Sequence, residues 1–178
     1  MHDSVHEQEV IAFHESGHAV VHHYFGHKLG SVAIGENSGH CALAATWTQR
    51  ASDSEIAVLM KREFLFQNIM ACMAGKCTID RFYGYKAKSD ESWRASDDYK
   101  QAFKCALRLN QGDSEGAELL MSWLERRTEL LVQKHWPQVQ ALAFALLEHD
   151  QLDGEQVKRI IARMMRERLL EPAIISTA

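Results

Sequence analysis

Two histidines and a glutamate near the start of the chain have the types and spacing of a metal-dependent hydrolytic centre. His14 and His18 are four residues apart, so on a helix their imidazoles project from the same side and can bind one metal ion. Glu15 follows the first histidine and could act as a general base toward a water activated by the metal, without being a ligand itself. Zinc (Zn2+) fits best, since it accepts nitrogen and oxygen ligands and lowers the pKa of bound water.

The pattern His-Glu-x-x-His is short and also arises by chance, but two local features strengthen the metal interpretation. Apolar residues flank the motif at Phe13 and at 19–21, so the histidines are predicted to be at least partly buried and to need a partner. Gly17 inside the motif costs roughly 1 kcal/mol of helix stability. Such a cost indicates that a close neighbour, a ligand or a substrate needs the space.

A catalytic zinc site of this kind needs a third protein ligand and one open position. The metzincin pattern would need glycine at position 21 and histidine at position 24, but the chain has Val21 and Tyr24. A glutamate from a downstream helix would give a thermolysin-like site, with Glu55 and Glu63 as the candidates.

Further histidines follow the motif. His22 continues the four-residue series, but on a straight helix it lies about 12 Å along the axis from His14, too far to share one tetrahedral ion. Surface or supporting roles are therefore predicted for His22, His23 and His27.

Composition excludes several classes of function. The formal net charge is −4, so no overall basic field attracts nucleic acid or an anionic membrane. No apolar stretch approaches the roughly 20 residues of a membrane span, and no phosphate-binding loop of an ATPase occurs. The four cysteines form no C-x-x-C pair and no signal peptide opens the chain, so we expect reduced thiols and a cytoplasmic protein.

The elements that must position the motif are mostly helices. One helix is predicted from about Val5 to His27, ended by Gly26 and Gly30. Two strand-like runs, 30–35 and 40–48, predict a hairpin. Further helices are predicted at about 54–82, 96–109 and 114–134. Another helix is predicted after Pro137, and a last one from Asp153, which forms a capping pair with Gln156. Residues 83–94 are predicted to be a mobile loop.

The fold class predicted from these elements is mainly α with a small β-hairpin or sheet. We expect a single domain over 1–178, in which a zinc-binding helical part at 1–110, with its hairpin at 30–48, precedes a C-terminal helical bundle at 111–172 and a tail at 173–178.

Four segments resemble, in the same order, motifs of the peptidase domain of the FtsH family of ATP-dependent zinc peptidases. Residues 13–21 resemble Y-H-E-A-G-H-A-V-V, and residues 74–84 resemble A-G-R-A-A-E-E-x-x-F-G. Residues 94–103 are similar to G-A-S-N-D-x-x-x-A-T, and residues 146–155 to L-L-E-x-x-x-L-x-G-E. The resemblance covers nearly the whole chain and implies a peptidase domain of this family.

By this resemblance, His14, His18 and Asp98 would be the zinc ligands and Glu15 the catalytic base. Asp98 also falls in the first turn of a predicted helix, where the dipole and the unpaired N–H groups favour a carboxylate. Two alternatives stay open for this position: a helix-terminal charge with no metal role, and Asp97 as the ligand instead.

The run from His40 to Thr48 follows the zinc helix as the substrate-binding edge strand does in the family. This implies that extended substrate pairs with Cys41, Ala42, Leu43 and Ala44, where small side chains leave room for those of the substrate. The alternative is a strand that only packs on the helices.

The implied function is a zinc endopeptidase that hydrolyses unfolded or partner-delivered polypeptide. We expect no ATPase module and no membrane anchor beside this peptidase domain, so a separate AAA-type unfoldase is an expected partner, and the family's six-fold rings suggest a homo-oligomer. Ile79 replaces the first glutamate of the A-A-E-E motif, so any support for a zinc ligand there would come from Asp80 or elsewhere. A weakly active or inactive zinc-binding regulator is the alternative, and a DNA-interacting or purely structural helical protein is a third.

Overall fold

The computed structural model describes residues 2–36, 38–44, 55–84 and 90–170, and the chain divides into two compact units. The first unit contains Met1–Ala44 and His135–Ala178, and the second unit contains Ala45–Lys134. In chain order the elements are α1 His2–Tyr24, β1 Leu29–Ile34, β2 Gly39–Leu43, α2 Glu55–Tyr83, α3 Asp90–Ala95, α4 Asp97–Leu109, α5 Ser114–Lys134, α6 Trp136–His149, β3 Gln151–Asp153 and α7 Gly154–Leu170. The predicted mainly-α fold with a small sheet is confirmed.

In the first unit, α1 packs against α6 and against an antiparallel sheet with the strand order β2-β1-β3. Val32 in the central strand pairs with Cys41 on one side and Leu152 on the other. The apolar flanks of the His-Glu-x-x-His motif are buried as predicted, and Phe13 stacks on Trp136 with ring centroids 5.6 Å apart. The buried apolar residues on either side of the motif therefore anchor α1 in the core of this unit.

The connection from α6 to α7 is short and tightly hydrogen-bonded. Asp150 ends α6 in the left-handed conformation, and its backbone N–H donates to the carbonyl of Leu146 at 2.7 Å. The N–H of Asp153 donates to Oε1 of Gln156, and the N–H of Gln156 donates to Oδ1 of Asp153, both at 2.8 Å. This reciprocal pair confirms the predicted capping box at the start of α7.

In the second unit, α2 packs on α4 and α5, and α3 packs on α4. Ile69 and Met73 of α2 and Leu124 of α5 are among its fully buried side chains. Lys76 bridges α2 and α5, since its ammonium lies 2.8 Å from Asp80 and 2.7 Å from Glu125. Burial opposes the charge of this ammonium, but its hydrogen bonds to the two carboxylates raise the pKa of Lys76.

Three sequence predictions need correction. The expected loop at 83–94 contains α3, whose last residues connect to α4 through the N–H of Ser96, which donates to the carbonyl of Trp93 at 3.0 Å. The strand predicted for 40–48 ends at Leu43, and 45–48 lie outside the described residues. Helix α1 ends at Tyr24, because Gly26 adopts φ 75° and lets the N–H of His27 reach the carbonyl of His22.

The helices of residues 111–172, predicted as a C-terminal bundle, are distributed over the two units, and that domain organisation stays a prediction. Helix α5 packs on α2 and α4, whereas α6 and α7 pack on α1 and the sheet. The reason is that α5 buries its apolar side chains against helices α2 and α4, which precede it in the chain. Pro137 then lies in the first turn of a new helix, α6. A single domain stays a prediction. No helix in the described part of the chain has the length and apolar character to cross a bilayer.

We predict that Gly154→Ala destabilises the first unit. In the first turn of a helix, alanine would ordinarily be more favourable than glycine. A Cβ at this position, however, would overlap the backbone carbonyl oxygen of Leu29 in β1, which cannot rotate away. The free energy of unfolding, measured by urea denaturation, should fall by about 1–3 kcal/mol. The neighbouring exposed substitution Glu155→Ala is the control and should change it by less than about 0.5 kcal/mol; an unchanged or higher value for Gly154→Ala would contradict the close approach.

Candidate metal centre

The two histidines of the motif lie side by side on α1. The Nε2 atoms of His14 and His18 are 3.0 Å apart, and their ring centroids are 4.6 Å apart with the planes at 72°. Since a zinc–nitrogen bond is about 2.0–2.1 Å long, two nitrogens at this separation can both reach one ion. The geometry of this pair therefore fits the metal that the sequence predicted. His18 is buried and His14 is half-buried.

Glu15 lies on α1 and is buried against the start of β2, with 7% of its surface exposed. Gly39, the first residue of β2, comes so close that a Cβ there would lie 2.5 Å from Cγ and 2.8 Å from Oε1 of Glu15. The same Cβ would lie 2.8 Å from a methyl group of Ile11. A side chain at position 39 would therefore require the Glu15 and Ile11 side chains to shift, and the glycine leaves the space that the Glu15 side chain occupies.

Within the described part of the chain, strand β2 forms one edge of the sheet, since β1 lies between it and β3. Of the predicted substrate-binding residues, Cys41, Ala42 and Leu43 lie on this strand. Ala44 follows it, and its N–H donates to the carbonyl of Lys28 at 2.8 Å. Ala42 and Ala44 are exposed and Cys41 and Leu43 are half-buried. Their contact with substrate stays a prediction.

In the second unit, Asp98 occupies the first turn of α4, as predicted. Ser96 caps this helix: its hydroxyl accepts from the N–H of Tyr99 at 3.1 Å and donates to the carbonyl of Trp93 at 2.7 Å. Asp98 is half-buried, and its charge acts on Cys72 of α2. Burial, with the negative charge of Asp98 as the second cause, raises the pKa of the Cys72 thiol to about 12.

The other acidic candidates have different surroundings. The side chain of Asp97 is fully exposed and pairs with Lys100 at 3.0 Å. Glu63 is exposed and accepts a hydrogen bond from Gln67 at 3.1 Å. The side chain of Glu55 lies outside the part that the structure describes. Among the candidates that the structure describes, Asp98 is therefore the half-buried carboxylate, and in the first unit His14 and His18 offer two imidazole nitrogens.

Three histidines that follow the motif, His22, His23 and His27, lie around the end of α1. His22 and His27 are half-buried, with their Nδ1 atoms 2.9 Å apart. Burial, together with the nearby charge of Lys158 in α7, lowers the pKa of His23. The sequence did not indicate the contact between His22 and His27, because it depends on the turn at Gly26.

The residues that replace the family's A-A-E-E motif lie near the end of α2. Ile79 is half-buried, and Asp80 accepts a hydrogen bond from Lys76 at 2.8 Å. A supporting role of Asp80 toward a zinc ligand stays a prediction.

Comparison with known proteins gives one distant similarity. No family model matches the chain. The sequence is 28% identical over 177 residues to the ATP-dependent zinc metalloprotease FTSH 11, chloroplastic/mitochondrial, of Arabidopsis thaliana. The match covers 86% of this chain and 21% of that protein, so the chain spans about one fifth of the length of the relative it matches. The similarity is weak and supports a distant relationship to FtsH-type zinc metalloproteases.

We predict an energetic coupling between Gly39 and Glu15. Gly39→Ala should lower the free energy of unfolding by about 1–3 kcal/mol, because the new methyl group overlaps the Glu15 side chain. In the double variant with Glu15→Ala, which removes Cγ and the carboxylate, part of that loss should be recovered, while the close contact with the methyl group of Ile11 remains. A double-mutant cycle from urea denaturation measures the coupling, expected to exceed about 0.5 kcal/mol. Additive effects would contradict the contact.

Proposed function

We propose that this chain is a zinc-dependent endopeptidase acting on extended polypeptide. The observation that carries the proposal is the pair of Nε2 atoms of His14 and His18, which lie 3.0 Å apart. Glu15, which lies between these histidines in the sequence, is buried beside strand β2. The distant similarity to an FtsH-type zinc metalloprotease supports the same class of reaction.

We propose His14, His18 and Asp98 as the three protein ligands of the zinc ion. Two imidazoles and one carboxylate leave one position of a tetrahedral site open, as catalytic zinc sites require. Asp98 is preferred over Asp97 because it is half-buried, whereas Asp97 is fully exposed and paired with Lys100. The first turn of α4 also favours a negative charge at this position.

The chemistry assigned to the chain centres on Glu15. When bound, zinc would lower the pKa of a water molecule and polarise the scissile carbonyl. The Glu15 carboxylate accepts a proton from the attacking water and then donates it to the nitrogen of the leaving amine. Its packing against Gly39 restricts where the carboxylate can move, so the proton is accepted and released at a fixed place.

Substrate is proposed to pair with the outer edge of β2 as an added antiparallel or parallel strand. Backbone groups of Cys41, Ala42 and Leu43 would supply hydrogen bonds, and the small side chains of Ala42 and Ala44 leave room for those of the substrate. This mode accepts extended chains and rejects folded ones. Delivery by a separate AAA-type unfoldase, a homo-oligomeric ring and a cytoplasmic location are further parts of the proposal.

The ligand assignment predicts different zinc affinities for two neighbouring variants. Asp98→Ala should weaken zinc binding more than about 100-fold, because an ion bound through two histidines loses its only anionic ligand. Asp97→Ala removes the adjacent carboxylate of the same helix turn and should leave the affinity unchanged within about threefold. Competition with a zinc-responsive chelator dye measures both. Weakening by Asp97→Ala with no effect of Asp98→Ala would exchange their roles.

The catalytic assignment predicts loss of turnover without loss of metal in Glu15→Gln. Removing a general base should lower the rate of casein cleavage by about 100- to 10,000-fold. Zinc content, measured by atomic emission, should stay at one ion per chain because Glu15 is not a ligand. Glu7→Gln, an exposed substitution on the same helix, is the control and should cleave at the wild-type rate.

Two results of this experiment would contradict the proposal. A wild-type protein that holds zinc but cleaves neither casein nor other unfolded chains would favour the regulator instead. A wild-type protein that cannot be loaded with zinc would exclude both functions.

A further inference from the structure

Helix α5 is apolar on two opposite sides. Its inner side packs in the second unit and buries Ala117, Met121, Leu124, Thr128, Leu131 and Val132. On the other side, Leu119, Trp123 and Leu130 are exposed by 68%, 53% and 49%. These three side chains lie within about 40° of one another on a helix of 3.6 residues per turn. A surface helix ordinarily carries polar residues there, so this outer face needs an explanation.

Charged residues extend the same outer face toward both ends. Exposed Glu115 lies one turn before Leu119, exposed Lys134 lies one turn after Leu130, and exposed Arg126 lies between Trp123 and Leu130. We define the α5 outer face as Glu115, Leu119, Trp123, Arg126, Leu130 and Lys134. It occupies a sector of about 100° and runs for about 28 Å along the helix.

The spacing of this face is the same read from either end. Successive members are separated by four, four, three, four and four residues, so the face is symmetric about a point between Leu124 and Glu125. If a second copy of α5 lies antiparallel across that point, Leu119 meets Leu130 of the copy. Trp123 then meets Arg126, and Glu115 meets Lys134. Each contact occurs twice, as a two-fold symmetric interface requires.

The charges on the α5 outer face favour a second, antiparallel copy of α5 as its partner. Antiparallel pairing places the acidic end of one helix against the basic end of the other, at both ends of the contact. It also places Arg126, whose guanidinium donates to Glu129 of its own helix at 2.9 Å, near the indole of Trp123 of the copy. The ring of Trp123 already attracts Arg127 of its own helix, with the guanidinium 5.0 Å from the ring centroid. Parallel pairing would bring Glu115 against Glu115 and Lys134 against Lys134, which repel.

We propose that the α5 outer face binds a second copy of this chain, giving an antiparallel two-fold dimer. One helix pair of this length makes a small interface, so the dissociation constant should lie in the micromolar range, roughly 1–50 µM. The proposal does not depend on peptidase activity.

Sedimentation equilibrium of the full chain tests the contact. The wild type should dimerise, and Trp123→Ser should weaken dimerisation more than about tenfold, because the centre of the interface is lost. Met165→Ser removes an apolar side chain of α7 that is 48% exposed, similar to Leu130, and should leave the dissociation constant unchanged. Thermal melting of each variant, followed by circular dichroism, separates loss of contact from loss of folding.

A charge exchange tests the antiparallel geometry. Glu115→Lys and Lys134→Glu should each weaken the dimer about fivefold, since each places like charges together at both ends. The double variant that carries both changes should return to the wild-type dissociation constant.

Any of three results would overturn the proposal. A wild type that stays monomeric at roughly 100 µM would exclude a second copy as the partner of the α5 outer face and would favour another protein. An assembly of any size that Trp123→Ser does not reduce shows that the copies associate elsewhere. Single charge variants that weaken the dimer without recovery in the double variant exclude the antiparallel arrangement.

Discussion

The close approach of β2 to α1 at Gly39 is the constraint on which the first unit's site depends. Because position 39 has no side chain, the strand can lie against Glu15 and Ile11 and hold the carboxylate in a buried place. The same strand pairs with β1, whose other neighbour is β3, and β3 leads directly into α7. The position of Glu15 is thus linked through the sheet to the tight junction of Gly154 with Leu29.

Much of the helical framework could be predicted because its signals are local. The capping box of Asp153 and Gln156, the proline after the start of α6 and the apolar flanks of the His-Glu-x-x-His motif each act within one or two turns. The same locality explains the paired imidazoles of His14 and His18, which need only a straight helix to meet.

Features that depend on distant parts of the chain were not predictable in this way. Strand β3 has three residues, too few for a periodic pattern, and forms because Leu152 pairs with Val32 more than one hundred residues earlier. The contact of Gly39 with Glu15 joins a turn-rich segment to a helix, and sequence alone indicates only that glycine favours a turn there. Helix α3 was missed because it is only six residues long and four of them are polar or charged. The preference for Asp98 over Asp97, which the sequence left open, rests on burial and on the ion pair with Lys100.

The central claim is that two imidazoles and a carboxylate bind zinc, and X-ray absorption at the zinc edge of the loaded protein tests it most directly. We expect two imidazole nitrogens and additional oxygen ligands, all at about 2.0–2.2 Å, with no sulfur ligand. Sulfur scattering at about 2.3 Å, which would place a cysteine thiolate on the ion, or a spectrum without imidazole, would contradict it.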